Sequence, residues 1–544
     1  MSIGSYLLGR VAQLPKARFR TTRTRNIRVK MRDGIDLATE FYLPRNGVRS
    51  PTILMRVPYG MRGFSTVAEI YAERGYNAVL QACRGTGGSE GEFDPLSHER
   101  DDGLDTLDWL KLQPWFDGRL GLSGPSYLGY AQWAISDALP KHSAMSVKVT
   151  SAEFKSIVFP GGSFNLGLMF GWIQIVHGIN TSILRVVGDM SSGGIERKTL
   201  RASMKLPLID ADKRMLGRKV PFWSHWLSNS IGNGEFWEPL DHTHRIGTRT
   251  PPTSFVSGWY DFMLDQLLRD YQSLVDAGGD ARLTVGPWFH VSEELQWESI
   301  RDTLSWMNAK LLNDRTALHD RPVRLFITGA DEWRSFAAYP PGVPDTQIWH
   351  LHPDNILSQR PVKTSEPDRY TYDPARPTPN VGGAVFAFSG AGPVDQAKLE
   401  ARNDVLVFTS EPLFAALTII GNVTATIYAR ASLHNADIFV KLCDVDEKGT
   451  SINICDGIIR KTSADPAVPD DIWKLSIRLH ATAHTFKRDH RLRVIVASGA
   501  HPRYARNLGT DEPFGTATKL SKVDVEIFHD PAHPSAIHLP VVEL

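Results

Sequence analysis

The segment Gly121-Leu122-Ser123-Gly124-Pro125-Ser126-Tyr127-Leu128-Gly129-Tyr130 constrains this chain more than any other. A short apolar run reaches it from the turn at Asp117-Gly118, and a helical pattern leaves it through Ala131, Trp133 and Ala134. A serine set among small residues between a strand and a helix requires a very tight turn. Its neighbours must be glycine or tolerate strain, and the hydroxyl is pushed out of the sheet. Such a junction presupposes a sheet with helices packed over it and makes Ser126 a candidate nucleophile. The fit to G-x-S-x-G is incomplete: Leu128 stands two residues after Ser126, and Gly129 one further on. Ser123 competes for the role, although Pro125 occupies the place of its second glycine.

The rest of the first 150 residues supplies the sheet. Ile27-Val29-Met31 and Ile35 to Leu43 alternate around the turn at Asp33-Gly34, as an antiparallel hairpin does. Pro51 to Val57, Tyr76 to Ala82, Arg119 to Leu122 and Met145 to Val149 read as strands, with helices over Thr66 to Arg74 and after Ser97. Ser97 is expected to cap the second of these, whose first turn holds Glu99, Asp101 and Asp102. Strands alternating with helices predict a parallel α/β sheet. The rhythm breaks over 151–245, a helical, aromatic- and glycine-rich stretch that behaves as an insertion, and returns at Thr253 to Ser257, Ala281 to Val285 and Val323 to Thr328. Beyond the prolines at 340, 341 and 344, short alternating strands such as Val423 to Ala429 predict a β-sandwich or jelly roll. The expected organisation is a basic arm over 1–25, an α/β core over 26–150 and 246–345, a helical cap over 151–245, and a jelly roll over 346–544.

A chain of 544 residues is too long for one core, and a net charge of +1 argues against nucleic acid or a strongly acidic partner. Residues 1–32 are acid-free and hold nine Lys/Arg, and they are expected to form a solvated, partly disordered arm. No stretch reads as a membrane span; Phe164 to Ile179 is broken by Asn165, Gln174 and His177 and reads as a buried or pocket-lining helix. The three cysteines, Cys83, Cys443 and Cys455, match no zinc or redox spacing and suit reduced thiols in a cytoplasmic protein. The glycines of Arg84 to Gly91 lack the Gly-Lys-Ser/Thr of a phosphate loop and read as a structural turn. Asp444 to Gly449 reads as a polar hairpin turn rather than a calcium loop. Asn180-Thr181-Ser182 and Asn422-Val423-Thr424 are glycosylation sequons only in a secreted chain. No metal or other cofactor is expected, and a homo-oligomer is compatible with the composition.

A nucleophilic serine needs a base, and the base needs an orienting acid. The strand ending at Ser257 runs into Gly258-Trp259-Tyr260-Asp261, and the strand ending at Val285 runs into Gly286-Pro287-Trp288-Phe289-His290. Asp261 and His290 therefore stand past the carboxyl ends of two successive strands, the edge where open α/β sheets place their ligands. Asp261 has rivals in Asp265 and Asp270, and could instead cap the helix beginning near Leu264. Chain order and strand ends together favour Ser126, Asp261 and His290 as a triad.

With these residues in place, the chain resembles the cocaine-esterase, α-amino-acid-ester-hydrolase and X-prolyl dipeptidyl-peptidase group of α/β-hydrolases. The resemblance rests on Arg56-Val57-Pro58-Tyr59, Cys83 to Gly91, Gly124-Pro125-Ser126-Tyr127-Leu128-Gly129, Gly258 to Asp261, and His501 to Leu508. In that group the elbow reads G-x-S-Y-x-G, which absorbs the misfit at Leu128. The resemblance implies an oxyanion hole made of the Tyr127 N–H and the Tyr59 hydroxyl. It also implies a serine hydrolase that cleaves carboxylic esters through an acyl-enzyme on Ser126. X-prolyl dipeptidyl-peptidase or amino-acid ester hydrolase activity is the alternative, and a silent binding protein on the same fold the remote one. The substrate it implies is a small ester, with amides and peptides as the other candidates.

Overall fold

The computed structural model describes residues 2–181, 183–229, 234–466 and 471–544. Among the described residues, the first sheet has ten strands: β1 (Thr21–Lys30), β2 (Asp36–Pro44), β3 (Ser50–Val57), β4 (Asn77–Ala82), β5 (Phe116–Pro125), β6 (Ser143–Lys148), β7 (Thr253–Tyr260), β8 (Ala281–Phe289), β9 (Val323–Ile327) and β10 (Glu332–Phe336). Their spatial order is β1-β2-β4-β3-β5-β6-β7-β8-β9-β10. β3 to β9 run parallel, while β1, β2 and β10 are antiparallel additions at the two edges. β3, β4, β6 and β7 are buried along their whole lengths, as parallel strands covered on both faces must be.

The α-helices of the described residues in chain order are α1 (Ile3–Val11), α2 (Ser65–Glu73), α3 (Glu99–Lys111), α4 (Tyr127–Trp133), α5 (Lys155–Val158), α6 (Leu166–Thr181), α7 (Ile183–Ser191), α8 (Gly194–Ser203), α9 (Ala211–Leu216), α10 (Pro221–Ser228), α11 (Gly234–Trp237), α12 (Leu264–Asp276), α13 (Glu293–Leu311) and α14 (Ala397–Glu400). Those from α5 to α11 lie between β6 and β7, the stretch expected as an inserted cap. They pack through an aromatic core in which Trp172 stacks on both Tyr127 and Trp226. α13 was not legible as a separate element, yet it lies across the central strands. Asp302 accepts from Ser146 at 2.8 Å and Ser254 at 2.6 Å, and Met307 sits where a side chain at Gly121 would have to go.

Two local expectations need correction. Ser97 does not cap α3: its hydroxyl donates to Asp94 at 2.7 Å, and His98 occupies the cap position. The basic arm is not a solvated tail. Its first residues form α1, capped by the Ser2 side chain, and Thr21 already belongs to β1. The acids that residues 1–32 lack come from α2 instead. Ser2 donates to Glu69 from N at 3.1 Å and from Oγ at 2.6 Å, and Ser5 donates to Glu73 at 2.9 Å. Leu8 and Leu14 pack on the core beside Ile70 and Tyr71.

The C-terminal part is a jelly-roll-like sandwich with its own apolar core, including Val423, Ala425, Ile427 and Ala429 from one face of the strand Leu417–Ala431. Asp444 to Gly449 is the turn of the hairpin Ala436–Val445/Ser451–Lys461, where Asp446 accepts from the N–H groups of Lys448 and Thr450. The segment His501 to Leu508 ties this sandwich to the rest. Arg503 pairs with buried Asp456 at 2.6 Å, Arg506 donates to the Met204 carbonyl at 3.0 Å, and His501 bonds Ser203 at the end of α8 at 2.9 Å. Arg84 in the glycine-rich turn pairs with Asp33 and Asp102, each at 2.6 Å, a structural role. No helix among the described residues is long and apolar enough to cross a membrane. Ser182, and with it the Asn180-Thr181-Ser182 triplet, lies outside the described residues.

Candidate active site

β5 delivers Ser126 into the gap between strand and helix with φ 57° and ψ −126°, a conformation that L-residues avoid and that an elbow stores as strain. Backbone bonds hold it there: the Ser126 N–H donates to the Lys148 carbonyl at 2.9 Å, and its own carbonyl accepts from Thr150 Oγ1 at 2.7 Å. Gly129 has to be glycine because a Cβ there would run into the Thr150 side chain. Leu128 instead turns inward, buried in the cluster with Ile53 and Leu304. The small residue is therefore required three positions after the serine, and the one two positions after it is free to be large.

His290 leaves the end of β8 with Nε2 3.2 Å from Ser126 Oγ and Nδ1 2.6 Å from Asp261 Oδ2. A carboxylate only accepts, so Nδ1 carries the proton and Nε2 is left to accept from the serine. Asp261 is fully buried, and its second oxygen accepts from the Met263 N–H at 2.8 Å. It thus does both things its sequence allowed, closing the turn into α12 with one oxygen and orienting the imidazole with the other. Phe262 lies on the His290 ring at 4.4 Å between centroids, and Phe386 from the C-terminal domain meets it edge-on at 5.8 Å.

The rival acids and the rival serine have other partners. Asp265 faces His480 at 3.3 Å and accepts from the Ala481 N–H at 2.9 Å, joining α12 to the sandwich. Asp270 accepts from the Ala152 N–H at 2.7 Å and pairs with Arg269, and burial pushes its carboxyl up to about 7. Ser123 is 2% exposed and faces the other side of β5, 3.0 Å from Thr303 Oγ1.

Tyr59 follows β3 and shares a cavity wall with Ser126, Tyr127 and His290. Its hydroxyl accepts from Trp172 Nε1 at 3.0 Å, which aims the O–H towards the serine. Burial pushes the phenol up to about 12, against the opposing hydrogen bonds with Trp172 and Ser126, so it stays a donor at neutral pH. Tyr127 opens α4, where the N–H has no acceptor within its helix. Its side chain is pinned from behind. The phenol donates to Glu99 at 2.9 Å and accepts from the Leu96 N–H at 2.8 Å, while Glu99 pairs with buried Arg56 at 3.0 Å. The Arg56 and Tyr127 of two separate motifs thus meet on one carboxylate. Nothing in the sequence singles out Trp172 or Phe386, and Glu99 reads there only as an acid in the first turn of α3. Trp172 falls in the apolar run expected to line a pocket, but a helix periodicity carries no sign of which residue meets Tyr59.

The cavity over these groups has a volume of about 1650 Å³ and is walled by α6, Phe262 and Met263, and Phe386 and Phe388. Among the described residues, no cluster of His, Cys, Asp or Glu is arranged to hold a metal ion. The apolar walls and the hydrogen-bonded serine suit attack on an uncharged carbonyl.

Comparison with known proteins agrees with this architecture. Residues 33–292 match the X-Pro dipeptidyl-peptidase (S15 family) model, and residues 319–538 match the X-Pro dipeptidyl-peptidase C-terminal non-catalytic domain. Cocaine esterase of Rhodococcus sp. (strain MB1 Bresler) is 30% identical over 95% of this chain and 98% of its own. Among solved structures, an aminopeptidase from the marine sediment archaeon Thaumarchaeota archaeon superposes with a TM-score of 0.81 at 22% identity, covering 97% of this chain and 98% of its own. An α-amino-acid ester hydrolase superposes with a TM-score of 0.80 at 22% identity, covering 96% and 97%. Identity sustained along nearly the whole of both chains makes this protein a member of the cocaine-esterase and X-Pro dipeptidyl-peptidase (S15) group of α/β-hydrolases, and a serine hydrolase.

Proposed function

We propose that the protein hydrolyses carboxylic esters through an acyl-enzyme on Ser126. His290 takes the serine proton and returns it to the leaving alcohol. Asp261 holds the imidazole tautomer and stabilises the imidazolium. Tyr59 O–H and Tyr127 N–H receive the oxyanion, and water then repeats the cycle to release the acid. The observation that carries this reading is the hydrogen-bonded chain Ser126–His290–Asp261, opening into a cavity shared with Tyr59.

Ester cleavage is favoured over X-prolyl or α-amino substrates by the charge of the cavity wall. A substrate ammonium needs a free carboxylate near the serine. Among the described lining residues the carboxylates are Glu40, neutralised by Arg23 at 2.8 Å, and Glu293, which faces solvent. The cations Arg25 and Arg62 also line it. The three cysteines are buried and unpaired, which supports a cytoplasmic location.

A fluorophosphonate probe should label Ser126, and labelling should vanish in Ser126→Ala. Label on Ser123 would overturn the assignment. Simple acyl esters should be turned over faster than X-Pro-anilides and α-amino esters at equal concentration, and the reverse order would move the protein to the peptidase side of its group.

A further inference from the structure

The cavity does not stop at the aromatic cage around Ser126. Its lining also takes in Ile179 and residues of α1 and α7. The α1 residues lining it are Gly4, Leu7, Leu8 and Val11. That spacing is i, i+3, i+4, i+7, the single apolar stripe of a helix. The other side, with Ser5, Gly9 and Ala12 buried, docks on the core, and Leu8 borders both, packing beside Ile70 and Tyr71 of α2 as well as lining the cavity. α1 therefore has two faces with two tasks, one anchoring the helix and the other turned to the cavity. Leu7 is 56% exposed, Val11 52%, and Val187 on α7 56%, so this part of the cavity is lined by apolar side chains that the described residues leave half-open. At about 1650 Å³ the cavity also exceeds the roughly 300–1,000 Å³ usual for a small-ligand site.

We infer that α1 and α7 form a subsite that takes the extended alkyl chain of the substrate, so that long-chain esters are preferred. The inference rests on the ester-hydrolase reading, because the cavity's continuity with Ser126 and His290 makes the substrate itself the occupant. Each methylene that reaches this wall leaves water and covers exposed apolar surface, and polar groups placed there remove that gain.

The test uses the full chain with Leu7→Glu/Val11→Glu on α1 and Val187→Glu on α7. All three are half-exposed positions, where a carboxylate can be solvated without unfolding the protein, and melting temperatures check this. Ethyl decanoate and decyl acetate carry the same chain on opposite sides of the ester bond, and ethyl acetate lacks it. The wild type should prefer one of the long esters. Both variants should lower kcat/KM for that ester by at least about tenfold while leaving ethyl acetate unchanged. Equal losses on long and short esters, no loss on either, or no long-chain preference in the wild type would overturn the subsite. Calorimetric binding of decanoate reads the wall without catalysis. Binding by the wild type that weakens in both variants upholds the subsite even if no ester is hydrolysed, a result that would fail only the ester-hydrolase reading. Decanoate binding that is absent, or equal in all three proteins, overturns it.

Discussion

Ser123 and Ser126 lie three residues apart on the same strand and its turn, and each has a nitrogen base within reach. Ser126 Oγ is 3.2 Å from His290 Nε2, and Ser123 Oγ is 3.4 Å from Lys148 Nζ. Their surroundings differ. Ser126 opens onto a cavity, and its base is oriented by a buried carboxylate that makes no other charge pair. Ser123 is sealed beneath the sheet, where Lys148 also meets Ser146 Oγ at 2.5 Å and Thr303 Oγ1 at 2.6 Å, with Asp302 one hydroxyl away. No substrate can reach it, and its base is tied into a closed network. A serine–base contact becomes chemistry only where a carbonyl can approach; elsewhere the same contact satisfies buried polar groups.

The largest test of this contrast is the pair of alanine substitutions. Ser126→Ala should lower kcat by about a millionfold with folding intact. Ser123→Ala should leave turnover unchanged and cost about 1 kcal/mol of stability. Kinetics and denaturant melts on both proteins would break the comparison if the effects were exchanged. Next comes the choice of acid. Asp261→Asn should reduce kcat about 10⁴-fold by favouring the wrong tautomer. Asp265→Asn should leave kcat near wild type and lower the melting temperature, because that carboxylate joins α12 to the sandwich.

Tyr59→Phe removes one oxyanion donor and leaves the packing of the ring. It should cost about 10²–10³ in kcat with little change in KM or melting temperature, and unchanged turnover would assign the second donor elsewhere. The smallest effect concerns the sealed side of the strand. Burial pushes the Lys148 ammonium down to about 8 from its ordinary 10.5, with Asp302 opposing. The unfolded chain then binds the extra proton between those values, so this group destabilises the fold below about pH 8 and the penalty fades as pH rises through the window. The stability of Lys148→Met relative to wild type should therefore be greatest near neutral pH and fall towards pH 10. A difference that does not vary with pH would show that Lys148 binds its proton equally well in the folded and unfolded chain.

Local patterns explain what was readable. The elbow between strand and helix, the strand ends at Ser257 and Val285, and the alternation of Val423 to Ala429 all lie within a few residues of the features they predict. So the sequence alone gathers Ser126, Asp261 and His290 on one edge. α13 and α1 were missed for different reasons. α13 has charges on several faces, because Asp302 points into the sheet. α1 reads as a solvated arm because the acids that hold it, Glu69 and Glu73, belong to α2.

By itself the sequence determined the class of fold, the order of strand and helix, and the strand ends at which the candidate side chains stand. Those depend on backbone geometry and periodicity, which act over short spans. Tertiary structure alone decided which serine is open and which is sealed, and which of Asp261, Asp265 and Asp270 meets His290. It also decided that Trp172 aims Tyr59, and that α1 lines the same cavity as Ser126 and α7. Each of these is a contact between segments distant in the chain, and burial and pairing across such distances arise only when the whole core is assembled.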